Sequence, residues 1–199
     1  MISTVGSAAL AGSSSGVLAQ PRADRKRALM KLGCQSAPNS DQRLQFFARH
    51  GVKNICGIPE ESRELGYPSV DELMQLKERA ARWDISIDMI TPSFLASSHI
   101  DRTPRPAIML GQNPERDRDI ERFQNLIRNC AEAGIPAVKY NMSILGVLRT
   151  GRTPGRGGAT YSTWRLKDAK PRTPLTRAGK VTADIYWERI SYFLERVIP

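Results

Sequence analysis

Residues 151–164, GRTPGRGGATYSTW, gather the side chains and backbone that an anion site uses. Gly151, Gly155, Gly157 and Gly158 permit positive φ and let backbone N–H groups approach a ligand closely. Arg152 and Arg156, with Arg149 just before them, offer planar forks that match a carboxylate or phosphate through two bonds. Tyr161 and Trp164 can wall such a site. The surroundings are strongly basic, since residues 149–180 hold nine Lys and Arg against one acid, Asp168, in a chain of formal net charge +10. A basic segment attracts anions in general, so nucleic acid, anionic lipid and small carboxylates or phosphates all qualify as ligands. A solvated loop whose charges only maintain solubility is the plain alternative. A Walker loop requires lysine in GxxxxGK, and GRTPGRGGATYS has none there. A single RGG-like copy is weak support for a nucleic-acid grip.

Other chemistry-bearing residues are sparse. Cys34, Cys56 and Cys130 form no CxxC and no zinc-like spacing with histidine, and an odd count is no disulfide framework, so they read as buried thiols. His50 closes an apolar helical pattern beside Gly51, and His99 lies in a loop. Neither reads as a metal ligand.

The elements that must position these residues alternate along the chain. ALMKLGCQSAP reads as a short strand and its loop, and SDQRLQFFARHGV as a helix with Leu44, Phe47 and Ala48 on one face, Ser40 or Asp41 as cap and Gly51 as stop. KNICGI is a second strand, and Ser69 caps a second helix whose face runs through Val70, Leu73, Met74, Leu76, Lys77 and Ala80. SIDMITPS is a third strand, and after a polar loop a long helix carries Ile120, Phe123, Ile127, Cys130 and Ala131, started by Asn113 and Pro114 and ended by Gly134. PAVKYNMS is a fourth strand, and a closing helix turns Ile185, Tyr186, Ile190, Phe193, Leu194 and Val197 inward.

Strands and helices in this order imply parallel strands joined by right-handed crossovers. Four such units are half of an eight-fold barrel, which takes about 250 residues. The expected fold class is α/β, a partial (β/α)8 TIM barrel of about four βα units over residues 29–199, with a long basic loop at 142–181. A doubly wound sheet competes, but its first turn would carry GxGxxG for a dinucleotide, and CQSAPNSD does not. A barrel binds ligands at the C-terminal ends of its strands. That places Gln35, Ser36, Gly57, Ile58, Asp88, Thr91, Lys139, Tyr140 and Asn141 around the site, with the long loop following directly, and loops of that length are usually functional.

Residues 1–28 differ in character. About twenty uncharged residues rich in Ala, Gly and Ser precede a basic run, which suits an export-signal-like or disordered leader and a periplasmic destination, although no charged n-region or twin arginine precedes them. The run is too polar for a membrane span.

From GIPAVKYNMSILGVLRTGRTPGRGGATYSTW through AGKVTADIYWERISYFLERVIP the sequence resembles the mannonate dehydratase family, sugar-acid dehydratases of the xylose-isomerase-like barrels. The resemblance spans residues 29–199 and is most specific at KYN, LRTGRTPGRGGATYS and YWERISYFLERVIP. It implies a cytoplasmic hydro-lyase of carbohydrate metabolism and glucuronate catabolism that removes water from D-mannonate to give 2-keto-3-deoxy-D-gluconate, with a manganese (Mn2+) or iron (Fe2+) ion. Such a dehydration takes a proton from the carbon beside the carboxylate, and the metal stabilises the enediolate.

The resemblance implies substrate-binding roles for Tyr140, Asn141, Arg149, Arg152, Arg156, Gly157, Gly158 and Tyr161. It places the metal-ligating His, Cys and Asp residues on later strands, so the chain is expected to be an N-terminal portion without a metal site or a complete catalytic centre, and inactive by itself. The implied partner is a small-molecule sugar acid, with no nucleic acid and no membrane, and with a homo-oligomer open for the full-length protein. Two alternatives remain: a sugar isomerase or epimerase barrel, which needs no carboxylate-binding arginines, and a basic nucleic-acid-binding module.

Overall fold

A computed structural model of the chain describes residues 30–36, 40–59, 64–96, 99–172 and 174–198. The expected leader at 1–28 lies outside them. The described residues from Lys31 onward form one compact unit. Its elements are β1 (Gly33–Ser36), α1 (Asp41–Arg49), β2 (Asn54–Gly57), α2 (Val70–Ala81), β3 (Ser86–Ile90), α3 (Ala107–Leu110), α4 (Glu115–Glu132), β4 (Gly151–Pro154), β5 (Thr160–Thr163) and α5 (Ala183–Val197).

Local chemistry sets the helix starts. The Ser40 side chain accepts from Arg43 N, and the Thr182 side chain from Ile185 N. At α2 a reciprocal capping box forms, in which Ser69 Oγ accepts from Glu72 N at 3.2 Å and Glu72 Oε2 accepts from Ser69 N at 2.6 Å. Two otherwise orphaned donors are satisfied at once.

β1, β2 and β3 pair in parallel in chain order, with Cys34, Ile55 and Ile87 in register and Gln35 beside Cys56. Ile55 and Ile87 face the helices in register, and the register shift after Ile55 brings Ile90, opposite Gly57, onto the same side, where they pack with Leu44 of α1, Leu73, Leu76 and Ala80 of α2, and Leu126 and Cys130 of α4. Each fully buried Leu or Ile contributes about 1.5–3 kcal/mol.

The opposite face is polar. Lys31 lies two residues before Gly33 and pairs with Asp88 of β3 at 2.9 Å, reaching across β2. Lys139 donates to Gln35 of β1, reaching across β2 and β3. Strands stand ~4.8 Å apart, and side chains rise roughly perpendicular to a sheet. A flat sheet would keep the two side chains three spacings apart, so the bond requires this face to curl inward.

Three expectations change. The fourth strand is reduced to one parallel bridge, Ile90 to Val138, held by Ile90 N to Ala137 O at 3.0 Å and Lys139 N to Ile90 O at 2.7 Å. Pro136 supplies no N–H, and β3 stops at Ile90 before Pro92, so the ladder has no further rungs. The loop at 142–181 contains an antiparallel hairpin, β4 with β5, pairing Arg152 with Ser162 and Thr153 with Tyr161. Its Thr and Tyr residues are strand formers flanking a tight turn, in which Gly157 and Gly158 take φ of 65° and 80°. The polar loop after β3 builds a second core, where Phe94, Leu95, Ile100, Ile108 and Met109 pack on Ile120, Phe123 and Phe193.

The closing helix α5 meets the expectation only in part. Phe193 is fully buried, whereas Ile185 is 41% exposed. Arg116 of α4 ties the two helices together, stacking over the Tyr192 ring at 3.4 Å and pairing with Glu188 at 3.2 Å. This contact holds the middle and C-terminal turns of α5 and leaves its first turn outside the core.

Candidate functional site at the strand ends

Each strand contributes polar groups to the curled face or to its C-terminal rim. From β1, Gln35 faces Lys139. Cys56 of β2 lies 3.1 Å from the Thr91 hydroxyl just past β3. Asp88 accepts from Ser86 Oγ at 2.6 Å and from Lys31 Nζ at 2.9 Å. Burial works against the Asp88 carboxylate, but the Ser86 hydroxyl and the Lys31 ammonium together outweigh it, so its pKa falls below the ordinary value.

Tyr140 and Asn141, singled out from the sequence as substrate residues, also hold the site together. The Tyr140 ring stands edge-on to Phe123 at 5.6 Å and Phe193 at 5.1 Å. Asn141 donates from its backbone N–H to Leu95 O and from Nδ2 to Ala96 O, both at 2.7 Å, which fixes the segment after the bridge to the turn after β3.

The hairpin residues form a separate group. Arg152 donates through Nε and Nη2 to Thr160 Oγ1, Arg149 donates to Leu148 O, and Arg165 donates to Thr153 Oγ1. Arg152 and Arg165 brace the hairpin itself, whereas Arg149 bonds only its own neighbouring carbonyl. Arg156, Gly157 and Gly158 form its exposed tip. Gly155 is needed for room, because a Cβ there would lie 2.2 Å from the Tyr161 ring. The segment carrying the hairpin is tied at both ends to the turn 100–102, by Ile100 N to Ile144 O at 3.5 Å and Arg177 N to Asp101 Oδ1 at 2.7 Å. That turn follows β3, so the hairpin springs from the same end of the sheet as the polar rim.

Sequence reasoning missed Lys31, Ser86 and the Asp101–Arg177 anchor. No local signal joined Lys31 and Asp88, because they sit two strands apart and meet only across β2. Two surface cavities lie elsewhere: one of ≈ 490 Å3 along α1, lined by Ser40, Arg43, Phe46 and Arg49, and one of ≈ 550 Å3 between α2 and β3, lined by Lys53, Lys77, Asp84 and Ile87.

Among the described residues no three His, Cys, Asp or Glu side chains gather into a metal site. Asp88 is engaged by Lys31 and Ser86, His50 packs at a tilt against Phe46 with ring centroids 4.6 Å apart, and burial pushes the Cys130 thiol up to about 11. Cys34 and Cys56 are only partly buried, so the expectation of buried thiols holds for Cys130 alone. The manganese or iron that the resemblance implies does not fit these residues. Among the described residues no helix is long and apolar enough to cross a membrane.

The fold and rim define an α/β chain of consecutive parallel βα units whose polar groups collect at the strand ends. Curated proteins named mannonate dehydratase are similar to it. That of Shouchella clausii is 27% identical over 161 residues, that of Thermotoga neapolitana 30% over 164, and that of Thermotoga maritima 29% over 163. Each match covers 65% of this chain and 42% of the relative, so the chain spans less than half the length of the curated relatives it matches. A crystal structure of mannonate dehydratase from Streptococcus suis serotype2 shares the fold with a TM-score of 0.65 at 21% identity, covering 86% of this chain and 50% of that one. No family model matches the chain.

Proposed function

We propose that the chain is the N-terminal portion of a sugar-acid dehydratase barrel, a hydro-lyase for D-mannonate or a similar aldonate, and that it supplies the substrate-binding side of the site. One observation carries the reading: three parallel strands in unbroken chain order, continued by the bridge at Val138, with helices on one face and a curled polar face on the other. A doubly wound sheet reverses strand order at a switch point, whereas a closing barrel adds strands consecutively and curls. The mannonate dehydratase homologues supply the reaction class.

In this reading Tyr140 and Asn141 shape the floor beside the bridge. Arg149, Arg152, Arg156, Gly157, Gly158 and Tyr161 close over the polyol from the hairpin. The metal ligands and the proton-transferring groups come from a complementary part of the barrel, and the described residues bind and orient the substrate without completing the chemistry.

The test is a titration of the chain, followed by amide NMR shifts, with D-mannonate and with the neutral polyol D-mannitol. Tighter binding of mannonate supports the dehydratase reading. Equal affinity for both favours a neutral-sugar isomerase or epimerase, and steep salt-dependent retention on heparin with no response to either polyol favours a nucleic-acid module. The chain alone, given mannonate and manganese, should form no 2-keto acid detectable by semicarbazide absorbance. Turnover would show that the catalytic groups are already present.

A further inference from the structure

We infer that Lys139 is the specificity-determining cation of the site, binding the substrate carboxylate at the C-terminal rim of the curled face, with Gln35 as the positioning residue that holds its ammonium there. The inference rests on the reading that the ligand is an aldonate, and it moves the carboxylate seat from the hairpin arginines to the sheet.

Charge balance selects Lys139. On the polar face, Lys31 is neutralised by Asp88 at 2.9 Å. Lys139 has a neutral amide oxygen as its partner, and among the described residues no carboxylate lies within ion-pair distance of it. It is only partly exposed, so its field is less screened than that of a freely solvated lysine. The hairpin arginines Arg149 and Arg152 already spend donors on Leu148 O and Thr160 Oγ1.

Donor inventory says what the seat can take. A lysine ammonium has three N–H donors and no acceptor, so Gln35 must present Oε1 to it and direct its own Nε2 donors elsewhere. Two ammonium donors and the two Nε2 donors remain. The rim is therefore rich in donors, with one full positive charge, and suits an acceptor-rich anion such as a carboxylate with a neighbouring hydroxyl. Gln35 and Lys139 come from the first and last strand positions described, so the seat lies over the middle of the curled face.

The experiment compares the affinity of the full chain for D-mannonate and D-mannitol. Lys139→Met should weaken mannonate about 10- to 100-fold, the range of a lost charge-assisted hydrogen bond, and leave mannitol unchanged. Lys139→Arg should retain most of the preference for the acid, and Gln35→Leu should reduce it partially. Lys53→Met removes the same charge at the other end of the sheet and should change nothing. Replacing Arg149, Arg152 and Arg156 together by Gln should weaken both ligands alike. A second measurement needs no variant: with side-chain nitrogen labelling, the Lys139 Nζ resonance should shift on adding mannonate and stay fixed on adding mannitol.

Unchanged mannonate affinity in Lys139→Met, or a static Lys139 Nζ resonance while mannonate binds, overturns the assignment and leaves the dehydratase reading intact. Loss of both ligands together in Lys139→Met assigns Lys139 a structural role and overturns it too. Equal binding of mannonate and mannitol by the unaltered chain overturns the assignment and the dehydratase reading together.

Discussion

Asp88 and Gly155 show how single residues set the rim and the hairpin. At Asp88, burial raises the carboxyl pKa and the Ser86 and Lys31 contacts lower it by more, so the folded value lies below the unfolded one of about 3.9. Its contribution is present above that unfolded value and is lost as pH falls through the folded one. Because Lys31 is largely exposed, with 63% of its side chain open to solvent, the ion pair is worth at most about 1 kcal/mol. Asp88→Asn should remove part of the acid-side slope of stability while costing little at neutral pH. Urea unfolding at stepped pH checks this, and an unchanged slope would show that Asp88 is not linked to folding. At Gly155 the requirement is space beneath Tyr161. Gly155→Ala should displace that ring and loosen β4 from β5, while the melting temperature holds because neither strand contributes to a buried core. Loss of cross-strand nuclear Overhauser contacts between Thr153 and Tyr161 would report it.

Helices and strands here were legible to different degrees. Ser69→Ala removes half of the α2 capping box and should cost about 1 kcal/mol, within 0.5–2, read as a lowered urea midpoint at constant slope. Such caps, with the apolar stripes through Leu44, Leu73 and Phe123, are local signals, and the sequence accordingly placed α1, α2, α4 and α5 within a few residues. The segment 136–143 read as a strand, yet strand status depends on a partner, and beyond Lys139 the bonds go to Leu95 and Ala96. In the loop after β3, Phe94, Leu95, Ile100 and Ile108 follow no period, so their burial together could not be foreseen. The hairpin carried a turn signal that competed with a phosphate-cradle reading of the same glycines. Lys139 and Gln35 were visible as strand-end residues, but their bond exists only because the sheet curls.

The whole molecule presents open surface and high charge together. Among the described residues β1 has a strand partner on one side only, Trp187 on α5 and Leu148 and Leu166 flanking the hairpin stand largely exposed, and Ile185 is partly so. An unpaired edge and apolar patches favour self-association. A formal charge of +10 opposes it through repulsion between copies. Repulsion between exposed charges is screened as ionic strength rises, whereas apolar contact is not, so added salt should strengthen association of the chain with itself. Binding to a polyanion depends on counterion release and has the opposite sign. Sedimentation velocity at ~50 mM and ~500 mM salt should show a larger weight-average mass at the higher salt, spanning Debye lengths from above 10 Å to below it. Trp187→Glu should reduce the effect by removing an exposed ring and adding a carboxylate to α5, without touching the rim at Lys139. A mass that falls with salt would mean that cationic contacts drive association, and would place the basic hairpin in the interface.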